Sequence, residues 1–387
     1  MRIYLDHNAT TPPAEAVIEA VAHAQRELFG NASSVHHFGQ RTKAALDEAR
    51  AAVAHLLGAS PSEVVFTAGG TESDNFAVRG IAEATEATGR RHLVSSTIEH
   101  EAVLQALKAL ERRGWRVTLV PVDSCGLVDP ERLQQAVSDD TALVSIMHAN
   151  NEIGTVQPIP ALARVAHARG ALFHTDAVQS VGKIPVAVGE LGVDLLSISG
   201  HKFYGPKGTG ALWIRRGVRL TPLLAGGRQE RNRRAGTENV PALIGLGEAA
   251  RLAAHDLASG DGRLGALRDR LEAEILANVR GTQVNGGPAP RVPNTTNVSF
   301  EGVEAESLLI ALDLEGVAVS TGSACSSGTL EPSHVLKAMG LATHRTQSSI
   351  RFSLGSGNTT EQIDRVAELL PRTVEKLRSL TRPTARA

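Results

Sequence analysis

Three short segments of this 387-residue sequence combine residue types that could perform chemistry together. In the first, the apolar run 193–198 ends in Ser199-Gly200-His201-Lys202, ahead of a turn rich in glycine and proline. The run is typical of a buried strand, so its end would bring Lys202 to a sheet edge. Because lysine is costly to bury, a protein that holds one there usually uses its amine, for instance in a Schiff base with pyridoxal phosphate. A lysine in a surface loop is the alternative.

The ends of two other predicted strands could contribute to a site for that cofactor. Gly69, Gly70 and Thr71 follow the strand 64–67, and glycines before a helix let backbone amides approach an anion such as a phosphate. Asp176 ends the strand 171–175, where a carboxylate could pair with a protonated pyridine nitrogen. Each segment has a structural alternative, because Thr71 with Asp74 fits a capping box and Asp176 fits an N-cap.

The combination of these segments is more specific than any one of them. An anion-binding turn, a strand-end aspartate and a strand-end lysine are together the components of a pyridoxal phosphate site. Ser199 and His201 could add hydrogen bonds to the phosphate, and Gln179 could reach the ring hydroxyl. His100 could cover the ring face, although a single histidine at a strand end is more often a surface or core residue.

The second segment is the loop of small residues at about 320–332, which has Cys325 at its centre. About six residues on each side give an arm of roughly 20 Å at ~3.4 Å per residue. A thiol on such an arm could visit a buried site and return to the surface, provided that its pKa is lowered from the usual ~8.5. An inert loop cysteine is the alternative, and Cys125, in a turn, fits that description.

The third segment, 348–354, alternates so that Arg351 faces away from Ile350 and Phe352. An arginine inside a strand could bind a substrate carboxylate in a bidentate way, or it could form a structural salt bridge. Asn150 and Asn151 follow another predicted strand and suit either a turn or the orientation of a ligand oxygen.

Strand and helix patterns alternate through the first two thirds of the chain. Continuous apolar strands separated by helices predict an α/β fold whose mainly parallel, seven-stranded sheet is flanked by helices. After Pro241 the pattern changes to long helices and short strands, which is typical of a smaller α+β domain. We therefore predict a large domain at 16–255 and a small domain formed by 1–15 and 256–387, which carries the mobile cysteine loop. The predicted strands of the sheet are 64–67, 93–96, 117–120, 142–147, 171–175, 194–198 and 210–214.

Composition excludes several classes of partner. The net charge is -1 and aromatic residues make up 3%, so neither nucleic acid nor an anionic membrane is an expected partner. No apolar run reaches membrane-spanning length, and the N-terminus lacks the apolar core of a signal peptide. Two cysteines are too few for a disulfide framework, so we expect free thiols in a reducing cytoplasm. No metal site is expected.

With these motifs taken together, the sequence resembles the cysteine desulfurases of the NifS/IscS type, within the class V aminotransferase-like enzymes that use pyridoxal phosphate. The resemblance runs essentially from end to end, and the cysteine loop has the long form of the family's first group. The segments that carry the resemblance are 4–11, 66–67 with 71–75, 99–100, 150–154, 174–179, 199–202, 234–239, 322–328 with 330–333, and 349–354.

The resemblance implies a fold type I transferase and a role for each candidate residue. Lys202 would be the Schiff-base lysine and proton carrier, His100 the ring-stacking residue, and Cys325 the nucleophile. Asp176 and Gln179 would contact the ring nitrogen and hydroxyl. The remaining implied contacts are Gly70, Thr71, Ser199 and His201 to the phosphate, Thr237 to the phosphate of a second subunit, and Asn151 and Arg351 to the substrate carboxylate, with Asn151 also beside the cofactor.

The implied reaction converts L-cysteine into L-alanine and a persulfide on Cys325. The persulfide sulfur would pass to an acceptor protein such as an iron–sulfur scaffold, and the contact from Thr237 implies a homodimer. Rival functions are a selenocysteine lyase or another class V enzyme, and, from a different class, a non-catalytic assembly partner with the same fold. The cysteine loop speaks against an aminotransferase, and the complete set of candidate residues speaks against a non-catalytic protein.

Overall fold

The computed structural model describes residues 2–322 and 332–381. Its strands are β1 (Ile3–Tyr4), β2 (Val64–Thr67), β3 (His92–Ser96), β4 (Arg116–Val120), β5 (Thr141–Ser145), β6 (Leu172–Asp176), β7 (Leu195–Ser199), β8 (Gly210–Ile214), β9 (Thr282–Val284), β10 (Thr295–Phe300), β11 (Val317–Ala318) and β12 (Ser349–Ser353). Its helices are α1 (Glu15–Glu27), α2 (His37–Leu56), α3 (Gly70–Thr85), α4 (Glu101–Glu111), α5 (Pro130–Ala136), α6 (Ile159–Ala168), α7 (Val188–Leu191), α8 (Gln229–Asn232), α9 (Val240–Ser259), α10 (Arg263–Asn278), α11 (Ala305–Leu314), α12 (His334–Ala338), α13 (Thr343–Thr346) and α14 (Thr360–Thr381).

Within the described residues, seven strands form the central sheet in the order β2-β8-β7-β6-β5-β3-β4. The pairs from β7 to β4 are parallel, and β8 runs antiparallel to both of its neighbours. The strands beside β7 are buried at every position or nearly so, because helices cover both faces of the sheet. The predicted α/β class and the mainly parallel, seven-stranded sheet are confirmed.

Alternate strand residues enter cores on opposite faces of this sheet. Leu196 and Ile198 of β7 belong to the core that contains residues of α1, α2, α6 and α9, whereas Leu195 belongs to the core beneath α3 and α4. This alternation follows from the two-residue period of a strand. Along the described chain, no helix is both long and apolar enough to cross a membrane.

A separate core surrounds the antiparallel sheet β12-β10-β9 and the parallel pair of β1 with β11. It takes side chains from the first residues of the chain and from α10, α11 and α14. Val335, Leu336 and Met339, although late in the sequence, pack into the core of the seven-stranded sheet instead. The domain boundaries predicted at 16–255 and at 1–15 with 256–387 stay a prediction.

The N-terminal segment connects the second core to the end of β7. Leu5 is fully buried in the second core, and the His7 amide donates to the Ser353 carbonyl at 3.1 Å. Six residues after Leu5, the Thr11 amide donates to the His201 carbonyl at 2.9 Å. The polar residues between these two anchors are therefore held against the turn that follows β7.

The short turn α8 has an unusual backbone that a buried ion pair stabilises. Glu230, Arg231 and Asn232 have φ of 47°, 57° and 65°, a left-handed conformation that costs roughly 1–2 kcal/mol for each residue other than glycine. The carboxylate of Glu230 accepts from both terminal nitrogens of Arg50 at 2.6 and 2.7 Å and from the Phe66 amide at 2.9 Å. The pair therefore fixes this turn against β2.

We predict that Glu230→Ala lowers the free energy of unfolding by about 3–5 kcal/mol, because it leaves the buried Arg50 guanidinium without its counter-charge. Urea unfolding followed by circular dichroism measures the loss. The matched control is Lys43→Ala, which removes the exposed pair of Lys43 with Asp47 and should cost less than about 0.5 kcal/mol. Equal losses in the two variants would contradict the structural role of the buried pair.

Candidate active site

Lys202 lies in the single turn of 3-10 helix, Gly200–Lys202, that follows β7. Its Nζ donates to the backbone carbonyls of Asn8 and Ala9 at 2.6 and 2.8 Å. The buried strand therefore delivers the amine to the carboxyl edge of the sheet, as predicted, and the N-terminal segment covers it from the other side.

A close backbone contact lies between the start of α3 and the end of β7. A Cβ placed on Gly70 would lie 2.9 Å from a methyl of Val178 and 3.5 Å from Cβ of Ser199. Gly69, with φ of 147°, adopts a conformation that other residues rarely take. The two glycines thus leave space at the first turn of α3, where the helix presents backbone N–H groups, and they bring Gly70 and Ser199 together as predicted.

Asp176 ends β6 and is buried, and its Oδ1 accepts from the Val178 amide at 2.9 Å. Burial raises the pKa of this carboxyl, while the charge that His100 carries when protonated, the hydrogen bond from Val178 and the charge of Lys202 oppose that rise. His100 and Lys202 therefore lie close enough to interact with Asp176, so the structure brings these three predicted residues together, and their roles stay a prediction. His100 caps α4, with Nδ1 accepting from the Ala102 amide at 3.1 Å.

Two further buried carboxyl groups lie behind Asp176. Burial raises the pKa of Asp74 well above its usual value and raises the pKa of Glu99 to about 8, and in both cases the charge of Asp176 adds to the rise. Asp74 hydrogen-bonds Ser197 and lies 3.7 Å from His174 Nε2. The capping-box alternative for Thr71 and Asp74 is therefore wrong, because Asp74 turns into the protein interior and not back to the helix start.

Asn8 connects several of the candidate residues and was assigned no role from the sequence. Its carbonyl accepts from both Lys202 Nζ and Gln179 Nε2, and its side-chain Nδ2 donates to the Asn151 carbonyl at 3.1 Å. Its Oδ1 accepts from Lys183 Nζ at 2.8 Å. Asn8 is 1% exposed, so these bonds are shielded from water.

Arg351 lies on β12 with only 3% of its side chain exposed. Nη1 donates to the Asn151 carbonyl at 2.9 Å, and Nη2 pairs with the Asp6 carboxylate at 2.6 Å. Nε has no hydrogen-bond partner among residues 2–322 and 332–381. The structure therefore brings Arg351 and Asn151 together and shows the salt bridge, while the contact of Arg351 with a substrate carboxylate stays a prediction. A substrate carboxylate could use the N–H groups that remain.

Cys325 lies outside the described residues, but the chain on both sides of its segment converges on one side chain. A Cβ on Gly322 would lie 2.9 Å from Glu152 Oε2, and the Ser333 hydroxyl donates to the same oxygen at 2.5 Å. Glu152 is buried, which raises the pKa of its carboxyl, and the charges of Arg351 and His100 lower it. The segment that carries Cys325 therefore begins and ends beside the residue that follows Asn151.

The other predicted residues are less tightly held. His201 is partly buried and its Nδ1 lies 3.1 Å from Thr10 Oγ1, and burial with the charge of Lys202 lowers its pKa to about 4, so it is neutral at pH 7. Thr71 is exposed in the first turn of α3. Thr237 is exposed in a cleft that it shares with Thr67 and Ala68. A role of Thr237 in the site of a second subunit stays a prediction.

The residues at this edge fit pyridoxal phosphate. The glycine cradle at the start of α3, with the Ser199 hydroxyl beside it, has the donors and the space that a phosphate needs. Asp176 is a buried carboxylate that could hold a proton on the ring nitrogen, and Lys202 is an amine within its electrostatic reach. Sequence reasoning missed Asp6, Asn8, Glu152 and Lys183. Asp6, Asn8 and Glu152 lie inside segments that carry the resemblance, and Lys183 lies four residues after the segment 174–179. No other signal pointed to them.

Comparison with known proteins places the whole chain in one family. Residues 3–366 match the aminotransferase class-V family. The chain is 51% identical to a protein of Dictyoglomus turgidum named cysteine desulfurase IscS, over 98% of this chain and 96% of that protein. A solved structure named NifS-like protein has a TM-score of 0.90 at 39% identity and covers 97% of this chain and 100% of its own. A structure titled SspA in complex with cysteine has a TM-score of 0.80 at 36% identity and covers 92% and 99%. The chain therefore belongs to the aminotransferase class-V family.

Proposed function

We propose that this chain is a pyridoxal phosphate-dependent cysteine desulfurase, which takes sulfur from L-cysteine to give L-alanine and a persulfide on Cys325. The observation that carries this proposal is that Lys202, Asp176 and His100 lie together at one edge of the seven-stranded sheet, with Arg351 of β12 facing them through the Asn151 carbonyl. Relatives of about 50% identity that are named cysteine desulfurase support it, as does a solved relative in complex with cysteine.

The cofactor, when bound, supplies an electron-withdrawing ring, which weakens bonds near the amino-bearing carbon of the substrate. Lys202 would bind the cofactor and then carry the proton from the α-carbon, and Asp176 would keep the ring nitrogen protonated. Gly70, Thr71, Ser199 and His201 would hold the phosphate. Gln179 would contact the ring hydroxyl, and His100 would lie over the ring.

Sulfur transfer needs a nucleophile and a fixed substrate. Arg351 and Asn151 would hold the substrate carboxylate, so that the sulfur atom faces the thiolate of Cys325. The thiolate attacks that sulfur, so a sulfur–sulfur bond forms while the carbon–sulfur bond breaks. The electron pair of the broken bond stays on the substrate carbon, which takes a proton, and the organic product is L-alanine.

The wider setting belongs to the same proposal. We propose a homodimer in which Thr237 reaches the phosphate of the second subunit, and the exposure of Thr237 supports this arrangement. We also propose the division into a large domain at 16–255 and a small domain at 1–15 and 256–387, supported by their largely separate cores. A cytoplasmic location and an acceptor such as an iron–sulfur scaffold are proposed on the sequence and its resemblance.

Variants of Lys202 and Cys325 separate the roles of these two candidate residues. The purified protein should absorb visible light through its cofactor and release sulfide and alanine from L-cysteine. Cys325→Ala should keep the absorption and lose sulfide release, and Lys202→Ala should lose sulfide release together with the absorption band of the lysine Schiff base. Cys125→Ala, which changes a cysteine in an ordinary turn, is the matched control and should behave as wild type. Undiminished sulfide release by Cys325→Ala would exclude the persulfide mechanism and favour another class V reaction.

The carboxylate contact of Arg351 can be isolated with a substrate that lacks the carboxylate. Arg351→Lys loses bidentate geometry, so we expect KM for L-cysteine to rise by about 10- to 100-fold, the equivalent of a charged hydrogen bond. KM for cysteamine should change little, because cysteamine has no carboxylate. Arg365→Lys, which alters a half-exposed arginine of α14, is the control. An equal rise for both substrates would show that Arg351 acts only through its structural salt bridge.

A heterodimer test checks whether Thr237 serves the partner's site. Lys202→Ala and Thr237→Arg chains with different tags would be co-expressed, and the mixed dimer would be purified. If Thr237 acts across the interface, one of the two sites is intact, and sulfide release should be about half that of the wild-type dimer. If Thr237 acts within its own subunit, both sites are damaged, and release should stay near that of the Lys202→Ala dimer.

A further inference from the structure

Lys183 is a second lysine in the candidate active site, to which no role has been given so far. It lies in the turns that follow β6, four residues after Gln179. Its Nζ donates to Gln179 Oε1 at 2.5 Å and to Asn8 Oδ1 at 2.8 Å. Gln179 Nε2 in turn donates to the Asn8 carbonyl at 2.9 Å, which also accepts from Lys202. Lys183, Gln179 and Asn8 thus form a closed set of hydrogen bonds beside Lys202.

The amine of Lys183 decides which way the Gln179 amide faces. An amide has an oxygen that only accepts and a nitrogen that only donates, and the two ends have nearly the same shape. Because a lysine amine is a donor here, it fixes Oε1 on its own side and leaves Nε2 on the other. One hydrogen of Nε2 is bonded to the Asn8 carbonyl. The orientation of the amide therefore also sets the direction of the second hydrogen.

Two other cationic groups lie close to Lys183. Burial lowers the pKa of its amine well below the usual value, and the charges of Lys202 and Arg351 lower it further. Gln179 Oε1 and Asn8 Oδ1 both accept from this amine, so Nζ acts as a donor to each of them. The charged or titratable groups that face the amine are Lys202, Arg351 and His7, whose own pKa Lys183 lowers.

We propose that Lys183 is a positioning residue that fixes the amide of Gln179 with its nitrogen toward the ring oxygen of the cofactor. A reversed amide would present its own oxygen to that ring oxygen, and the two acceptors would repel each other. The inference rests on the proposed function, because it assumes that pyridoxal phosphate binds at this edge of the sheet.

The test measures cofactor binding separately from turnover. Lys183→Met removes both donors with little change in side-chain length. We expect the dissociation constant of pyridoxal phosphate for the apoenzyme to rise about tenfold, and the visible circular dichroism of the bound cofactor to weaken because the ring is held less firmly. Lys376→Met, which changes an exposed lysine of α14, is the matched control and should alter neither quantity.

A double-mutant cycle shows whether Lys183 acts through Gln179. In a Gln179→Ala background, Lys183→Met should weaken cofactor binding by less than about twofold, because the amide that it orients is gone. An undiminished tenfold effect in that background, or no effect in either, would overturn the proposal. Thermal melting of each apoenzyme checks folding. If Lys183→Met does not fold, Lys183→Arg, which keeps N–H donors, should bind the cofactor better than Lys183→Gln, and the reverse order would overturn the proposal.

The wild-type protein distinguishes this failure from a failure of the proposed function. A wild-type chain that binds pyridoxal phosphate and releases sulfide, with an unaffected Lys183→Met variant, would contradict only the role of Lys183. A wild-type chain that binds no pyridoxal phosphate would contradict the proposed function itself.

Discussion

Asn8 is the buried contact on which the arrangement of the candidate site depends. Its carbonyl and side chain bond to residues that follow β6 and β7, and its side chain also reaches Thr295 Oγ1 and Asn294 Nδ2 beside the second core. Its own amide donates to Ser353 Oγ at 3.0 Å. Because these bonds are buried, displacing this one residue would break several hydrogen bonds at once, and it would remove the carbonyl acceptor of Gln179 Nε2. The lysine and the arginine of the site are therefore positioned relative to each other through the N-terminal segment.

The carboxyl groups around Asp176 illustrate a second constraint, the cost of charge in a buried environment. Asp74, Glu99 and Asp176 lie close together: the charge of Asp176 raises the pKa of the other two, and the charge of Glu99 also raises that of Asp74. Such a set cannot carry three negative charges, so protons must remain on some of its members. Asp176 alone of the three has the positive charges of His100 and Lys202 acting to lower its pKa. The negative charge is thus favoured at the carboxylate that would face the ring nitrogen.

The sequence predicts those parts of the structure that depend on local residue patterns. The buried strands and their polar ends follow from hydrophobic periodicity, and the predicted strand 194–198 differs by one residue from Leu195–Ser199. Gly70, Ser199, Asp176 and Lys202 meet because parallel strands end at the same sheet edge. Contacts outside that rule were not predictable. Asn8 lies in an irregular segment, and its bond to Lys202 joins residues 194 positions apart, which no local pattern records. The edge strand β9 and the short helix α5 were also missed, because each is brief and weakly patterned.

Lys183, Lys202 and Arg351 place three basic groups close together; Asp6 pairs with Arg351, and Asp176 lies close enough to interact with Lys202. Burial lowers the pKa of Lys183, and the repulsion from the charges of Lys202 and Arg351 lowers it further. The same excess of positive charge favours anions, and the proposed reaction brings two of them: the phosphate of the cofactor and the carboxylate of the substrate. Binding these two anions would offset the repulsion among the three cations. Part of the affinity for both ligands would therefore come from positive charges that the fold holds close together. The ion pair with Asp6 weakens the attraction for anions at Arg351, because it partly neutralises the guanidinium. The guanidinium can still attract one carboxylate.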